Sequence, residues 1–173
     1  VHCTITANTT QAGVTTANSA TARIQRCLIA GNTGLPSPDI TRFSGVITAV
    51  GSDVRGFAVG DEIYARPRDG RIGAFAGTIA IDAGDVARKP TSLSFEEAAA
   101  VPLVALAAWQ ALADVAGVQP GQKVLVHAGA GGLGSTVIQV AKHLGAYVAT
   151  TARTSDIDKV RSLGADEVID FTT

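Results

Sequence analysis

The strongest constraint on how this chain folds is the stretch HAGAGGLGST at residues 127–136, where Gly129, Gly131 and Gly134 have G-x-G-x-x-G spacing. With 19 glycines in 173 residues the spacing alone is weakly specific, so its flanks decide. Before it, GQKVLVHA at residues 121–128 is a short apolar run ending at the glycines, as a buried parallel strand does. After it, Leu133, Val137, Val140, Ala141 and Leu144 return at helical spacing, and Gly145 is placed to end the helix. YVATTA at 147–152 predicts a second strand. Ser155 and Asp158 have capping-box spacing before a short helix with Ile157, Val160 and Leu163 on its apolar face, and Gly164 stops it ahead of a third strand in DEVIDF, 166–171.

Strand, glycine turn, helix, strand, helix, strand is the order in which such glycines bind a dinucleotide. The first allows the tight turn, the second lets a pyrophosphate approach the backbone, and the third lets helix and strand pack closely. Gly129, Gly131, Gly132, Leu133 and Gly134 are therefore candidate cofactor-binding residues. The alternative is that these glycines only pack a strand against a helix. A P-loop does not fit, because no Gly-Lys-Ser/Thr follows.

The end of the second strand addresses which dinucleotide. A carboxylate there would bond the adenine ribose hydroxyls and favour NAD. Residues 149–155 read ATTARTS, with no acid before Asp156. Arg153 is suited to fork onto a ribose phosphate, Ser155 to donate a hydroxyl, and Lys159 lies one helical turn beyond, with Thr151 in the same stretch. NADP is the expected cofactor. The alternative is that Arg153 and Lys159 are ordinary solvated charges.

Upstream the pattern changes. Residues 1–22 hold seven threonines without a clear stripe. Between 43 and 89, short apolar runs (SGVITAVG, GFAVGDEIYA, GAFAGTIAIDAG) alternate with glycine and aspartate and predict a twisted antiparallel sheet. Ser94 and Glu97 form a capping box ahead of an alanine- and leucine-rich segment, with Pro102 as a kink or break, and 98–112 is expected to be a buried helix. The fold class is α/β: an antiparallel β domain over 1–90, of which 1–35 has no assigned pattern, a helical connection over 91–120, and a partial parallel sheet over 121–173.

A net charge of -1 gives no field for a nucleic-acid backbone or an anionic membrane, so a small-molecule substrate is expected, without nucleic acid or membrane. Cys3 and Cys27 lack metal-ligand or disulfide-framework spacing, and a reducing cytoplasm fits best. His2, His127 and His143 are scattered, with His127 read as a core-edge residue, and no metal is expected.

VGDEIYA, DVARKPTSLSFEEAAAVPLVALAAWQAL, VQPGQKVLVHAGAGGLGSTVIQVAKHLGAYV and VRSLGADEVIDF stand in the order of one family. The chain resembles the zinc-independent quinone oxidoreductase branch of the medium-chain dehydrogenase/reductase family from about Phe43 to Phe171. The resemblance implies a GroES-like β domain beside a Rossmann domain, and direct, metal-free hydride transfer from NADPH to a quinone or activated alkene. It assigns Gly131, Gly132 and Leu133 to the pyrophosphate, Arg153 and Lys159 to the adenine ribose, and Asn18 to a polar catalytic position, with Arg23 or Arg26 nearby. Thr41, Arg42 and Phe43 stand where zinc-dependent relatives carry Gly-His-Glu. Ala107, Gly77 and Thr78 depart from the family's threonine and Glu-Tyr positions, which keeps open a noncatalytic dinucleotide-binding or structural protein; an enoyl or alcohol reductase is a third reading. The three strands after Gly121 amount to half of a six-stranded sheet. That count implies a piece of a longer protein or a partner chain completing the Rossmann sheet; a homodimer is the other assembly expected.

Overall fold

The computed structural model describes residues 27–32, 43–67 and 78–173. The chain forms two compact units, Val1–Pro102 and Leu103–Thr173. The first holds a five-stranded antiparallel sheet of β1 (Cys27–Asn32), β2 (Phe43–Val50), β3 (Glu62–Ala65), β4 (Thr78–Asp82) and β5 (Val86–Arg88), in the order β4-β1-β2-β3-β5. Phe43, Ile47, Val54, Ile63, Ala65 and Ile81 form its core. Alternation along β2 and β3 puts Phe43, Ile47, Ile63 and Ala65 on one face, as the sequence pattern requires.

Helix α1 (Phe95–Trp109) starts at the expected capping box. The Ser94 amide donates to Glu97 Oε2 at 2.8 Å, and the Glu97 amide donates to Ser94 Oγ at 3.2 Å. Pro102 lies inside this helix and does not end it. The helical run continues through a π-type turn, Gln110–Val115. The expectation of a buried helix holds only in part: Ala98, Ala108 and Leu112 are buried, whereas Leu106, Trp109 and Val115 are exposed. At 21 residues and a mean hydropathy of 1.6, the run is long and apolar enough to cross a membrane by length and composition, a test that core helices of soluble proteins also pass.

The second unit contains β6 (Lys123–Val126), α2 (Gly132–His143), β7 (Tyr147–Ala152), α3 (Ile157–Ser162) and β8 (Glu167–Asp170). The three strands are parallel in the order β6-β7-β8. Val126, Val148 and Ala152 turn to one face and form a core with Ile138 and Ala141 of α2 and Val160 of α3. Fully burying such an aliphatic side chain contributes about 1.5–3 kcal/mol. Leu125, Tyr147 and Ile169, on the alternate positions, are exposed. Both helices close as expected on glycines in the left-handed region, Gly145 (φ 82°) and Gly164 (φ 103°), which a side chain would strain. The start of α3 differs from expectation. Residues 154–156 form a 3-10 turn, Asp156 precedes the helix without a side-chain cap, and the Ser155–Asp158 capping box does not form.

Asp166 joins α2 to the sheet. Its carboxylate accepts from Lys142 Nζ at 2.8 and 2.9 Å and from the Val148 amide at 2.7 Å. The Lys142 bond first, and the Val148 amide second, hold this carboxyl below its ordinary value of 3.8. A lowered folded pKa means the contribution is complete above that value and is lost as pH falls through the folded one. Asp166→Asn should therefore melt at a lower temperature than the parent at neutral pH, with the gap closing below about pH 4. A gap unchanged between pH 6 and pH 3 would remove this pairing from the account.

Candidate functional site

The glycine turn leaves the end of β6 and enters α2 over five residues. Its shape is set from β7. Thr150, fully buried, donates from Oγ1 to the Val126 carbonyl at 2.7 Å. Its neighbour Thr151 accepts the Ala128 amide on Oγ1 at 2.9 Å, and the Thr151 carbonyl accepts the Gly129 amide at 3.0 Å. Ala128 is held at φ 54°, the one positive φ at a non-glycine residue among those described. An alanine in this region is strained by roughly 1–2 kcal/mol, which the two hydrogen bonds from β7 offset.

The glycines divide into two kinds. A Cβ on Gly129 would collide with Thr150 Oγ1 and come within 2.8 Å of Ile138 Cδ1, and one on Gly134 would collide with the Ala128 carbonyl oxygen. These two are required by packing. A Cβ on Gly131 would meet only the Ala128 carbonyl oxygen at 3.3 Å, and one on Gly132 would meet nothing within 4 Å. Packing does not demand a glycine at 132, and open space lies before it. Gly131 is the N-cap of α2 and offers no side chain to the first amides of the helix. Gly131, Gly132 and Leu133 are exposed. An exposed start without a side-chain cap, at the positive end of a 12-residue helix, suits an anion.

The remaining predicted residues collect on the adjoining loop and helix. Lys159 on α3 donates from Nζ to the Ala130 carbonyl at 2.8 Å, so its ammonium sits on the glycine turn itself. Arg153, directly after β7, is exposed, and among the described residues its guanidinium meets no partner. Ser155 is exposed in the 3-10 turn. Thr151 lies beneath the turn and holds it. The structure thus brings Gly129, Gly131, Gly132, Leu133, Gly134, Thr151 and Lys159 around one turn, with Arg153 and Ser155 on the segment that follows β7. Asn18, Arg23, Arg26 and Gly77 lie outside the described residues. His127, expected at the core edge, is exposed, as is His143, and no group of three metal-ligating side chains occurs among the described residues.

Sequence reading missed Thr150, whose inward position on β7 follows from the period-2 pattern. It also missed Thr154, Asp170 and Thr172, which bond to one another at the ends of β7 and β8.

No family model matches the chain. It is 42% identical over 150 residues to 2-methylene-furan-3-one reductase of Solanum lycopersicum, covering 81% of this chain and 38% of that protein. It is 44% identical over 134 residues to polyketide synthase GfsB of Streptomyces halstedii, covering 76% of this chain and 2% of that one. Among solved structures it is similar to Escherichia coli quinone oxidoreductase complexed with NADPH, at a TM-score of 0.70 and 27% identity over 86% of this chain and 51% of that one. The chain belongs to the medium-chain dehydrogenase/reductase family. Its five-stranded antiparallel sheet and its parallel β6-α2-β7-α3-β8 unit are the GroES-like and partial Rossmann parts of that family's α/β fold. The chain spans about half the length of this solved relative and less than two-fifths of either curated relative.

The two kinds of glycine give a direct test. Gly129→Ala should lower stability by about 1–3 kcal/mol, the usual cost of overpacking, whereas Gly132→Ala, in the first turn of α2, should leave it unchanged or raise it. Denaturant unfolding of both variants reads this out, and equal destabilisation would refute the division.

Proposed function

We propose that the protein is an NADPH-dependent reductase of quinones or of alkenes activated by a carbonyl group. The observation that carries the reading is the open approach to Gly132 and the uncapped amides of α2, which fit a pyrophosphate. Gly131, Gly132 and Leu133 would hold the pyrophosphate through backbone amides, and Arg153, with Ser155, would meet the ribose 2′-phosphate. Lys159 spends one of its three donors on Ala130 and retains two for the same phosphates. Asp156 on the same turn is the residue whose charge opposes a phosphate there.

When bound, a dihydronicotinamide supplies a hydride to the acceptor, and solvent suffices as the proton source. The chain's contribution is to fix the dinucleotide against the glycine turn and so orient its reactive end. Metal-free chemistry is supported by the sequence, which has Thr41, Arg42 and Phe43 in place of Gly-His-Glu. Asn18 is the proposed polar group near the acceptor. The similarity to a polyketide synthase favours a second reading, reduction of an enoyl thioester by the same site.

Consumption of NADPH, followed at its nicotinamide absorbance with a panel of quinones, enones and enoyl thioesters, tests both readings. Turnover with quinones or enones supports the first, turnover confined to enoyl thioesters the second, and binding without turnover a noncatalytic role consistent with Ala107. Cofactor choice is tested separately. Arg153→Ala should weaken NADPH by roughly tenfold and leave NADH nearly unchanged, the low end for a charge-assisted bond because the site is exposed. Equal weakening of both would reject the phosphate contact.

A further inference from the structure

The loop after β7 is tied down at its middle residue. Thr154 lies between Arg153 and Ser155, and its Oγ1 donates to Asp170 Oδ2 at 2.6 Å. The same oxygen lies 2.8 Å from Thr172 Oγ1. Asp170 Oδ1 accepts from the Thr172 amide at 2.9 Å and from Thr172 Oγ1 at 2.6 Å. Three close oxygen pairs share two hydroxyl protons, and the Asp170 carboxylate, which only accepts, takes both of them. These bonds hold the Asp170 carboxyl below the usual range, the Thr154 bond most of all.

Asp170 is the last residue of β8 and pairs in register with Ala152, the last of β7. The Phe171 amide donates to the Ala152 carbonyl at 3.2 Å. Arg153 is therefore bracketed: the residue before it is held by the β8 backbone and the residue after it by the final β8 side chain. The Asp156 amide closes the turn onto the Arg153 carbonyl at 2.9 Å. A backbone fixed on both sides removes the backbone part of the freedom that Arg153 would otherwise lose on meeting a ligand, and fixes where its side chain starts.

We propose that Asp170, acting through Thr154, is a positioning residue that fixes Arg153 and Ser155 for a 2′-phosphorylated adenine ribose and so sets the preference for NADPH over NADH. The inference rests on the reading of Arg153 as the phosphate contact. Neither Asp170 nor Thr154 needs to touch the cofactor. A purely structural role would shift both affinities together, whereas a positioning role shifts their ratio.

The test is titration of the full chain with NADPH and with NADH, at one fixed salt concentration, for Thr154→Val, Asp170→Ala, Asp170→Asn and Arg153→Ala, and for Thr154→Val combined with Arg153→Ala. Thr154→Val and Asp170→Ala should each weaken NADPH by about five- to tenfold while NADH changes less than about twofold. Asp170→Asn should recover most of the loss, because its amide still accepts from Thr172 and donates to Thr154. Thr154→Val should add little once Arg153 is already alanine. If Arg153→Ala lowers the NADPH-to-NADH ratio and Thr154→Val does not, the positioning role is overturned and the phosphate contact stands. If Arg153→Ala leaves the ratio unchanged, or neither cofactor binds, the phosphate reading fails and this inference with it. Thr154→Val keeps the side-chain shape and so carries the test should Asp170→Ala unfold.

Discussion

The close approach of β7 to the glycine turn is the constraint from which the rest of the second unit follows. Thr150 fills the space where Gly129 has no side chain, and the Ala128 carbonyl fills the space where Gly134 has none. Van der Waals exclusion of this kind is steep, so the turn has little room to shift. It delivers the start of α2 to a fixed place with its first amides uncapped. Thr150 and Thr151 act as a pair on opposite sides of β7: one bonds the end of β6 and the other bonds the turn. Without the Thr151 hydroxyl, Ala128 would lose one of the two hydrogen bonds that support its conformation, and the Thr151 carbonyl alone would hold the turn.

That arrangement separates what the fold needs from what a ligand needs. Gly129 and Gly134 are explained by packing alone, as the simpler alternative holds for all the glycines. Gly132 is not, because a side chain there would meet empty space. Such a residue, at an exposed helix start without a side-chain cap, leaves room for an anion to approach the backbone. Lys159 adds positive charge to the same turn while its bond to Ala130 holds it there.

Much of this was legible in the sequence, and the misses share a cause. The parallel unit followed from apolar runs and glycine stops, since strand and helix periods are local properties. The Ser94–Glu97 capping box was readable because both residues belong to one turn. The Ser155–Asp158 box, identical in spacing, does not form, because residues 154–156 take a 3-10 turn and Thr154 is bonded to Asp170, 16 positions away. The bonds between Thr150 and Val126, and between Thr151 and Ala128, likewise cross more than 20 residues. Local pattern carries no signal for such pairs. Pro102 was read as a kink or break, yet the apolar helix continues through it. The segment after β7 was legible from its place after the second strand and its residue types, whereas the network that holds it joins residues far apart in the chain.

The central claim is that the uncapped start of α2 receives the pyrophosphate of a dinucleotide. Backbone amide chemical shifts of the full chain, followed residue by residue as NADPH is added, test it most directly. The account predicts that the largest changes fall on Gly131, Gly132 and Leu133, with a second group at 153–155. Changes confined to other surfaces, or none at saturating NADPH, would contradict it.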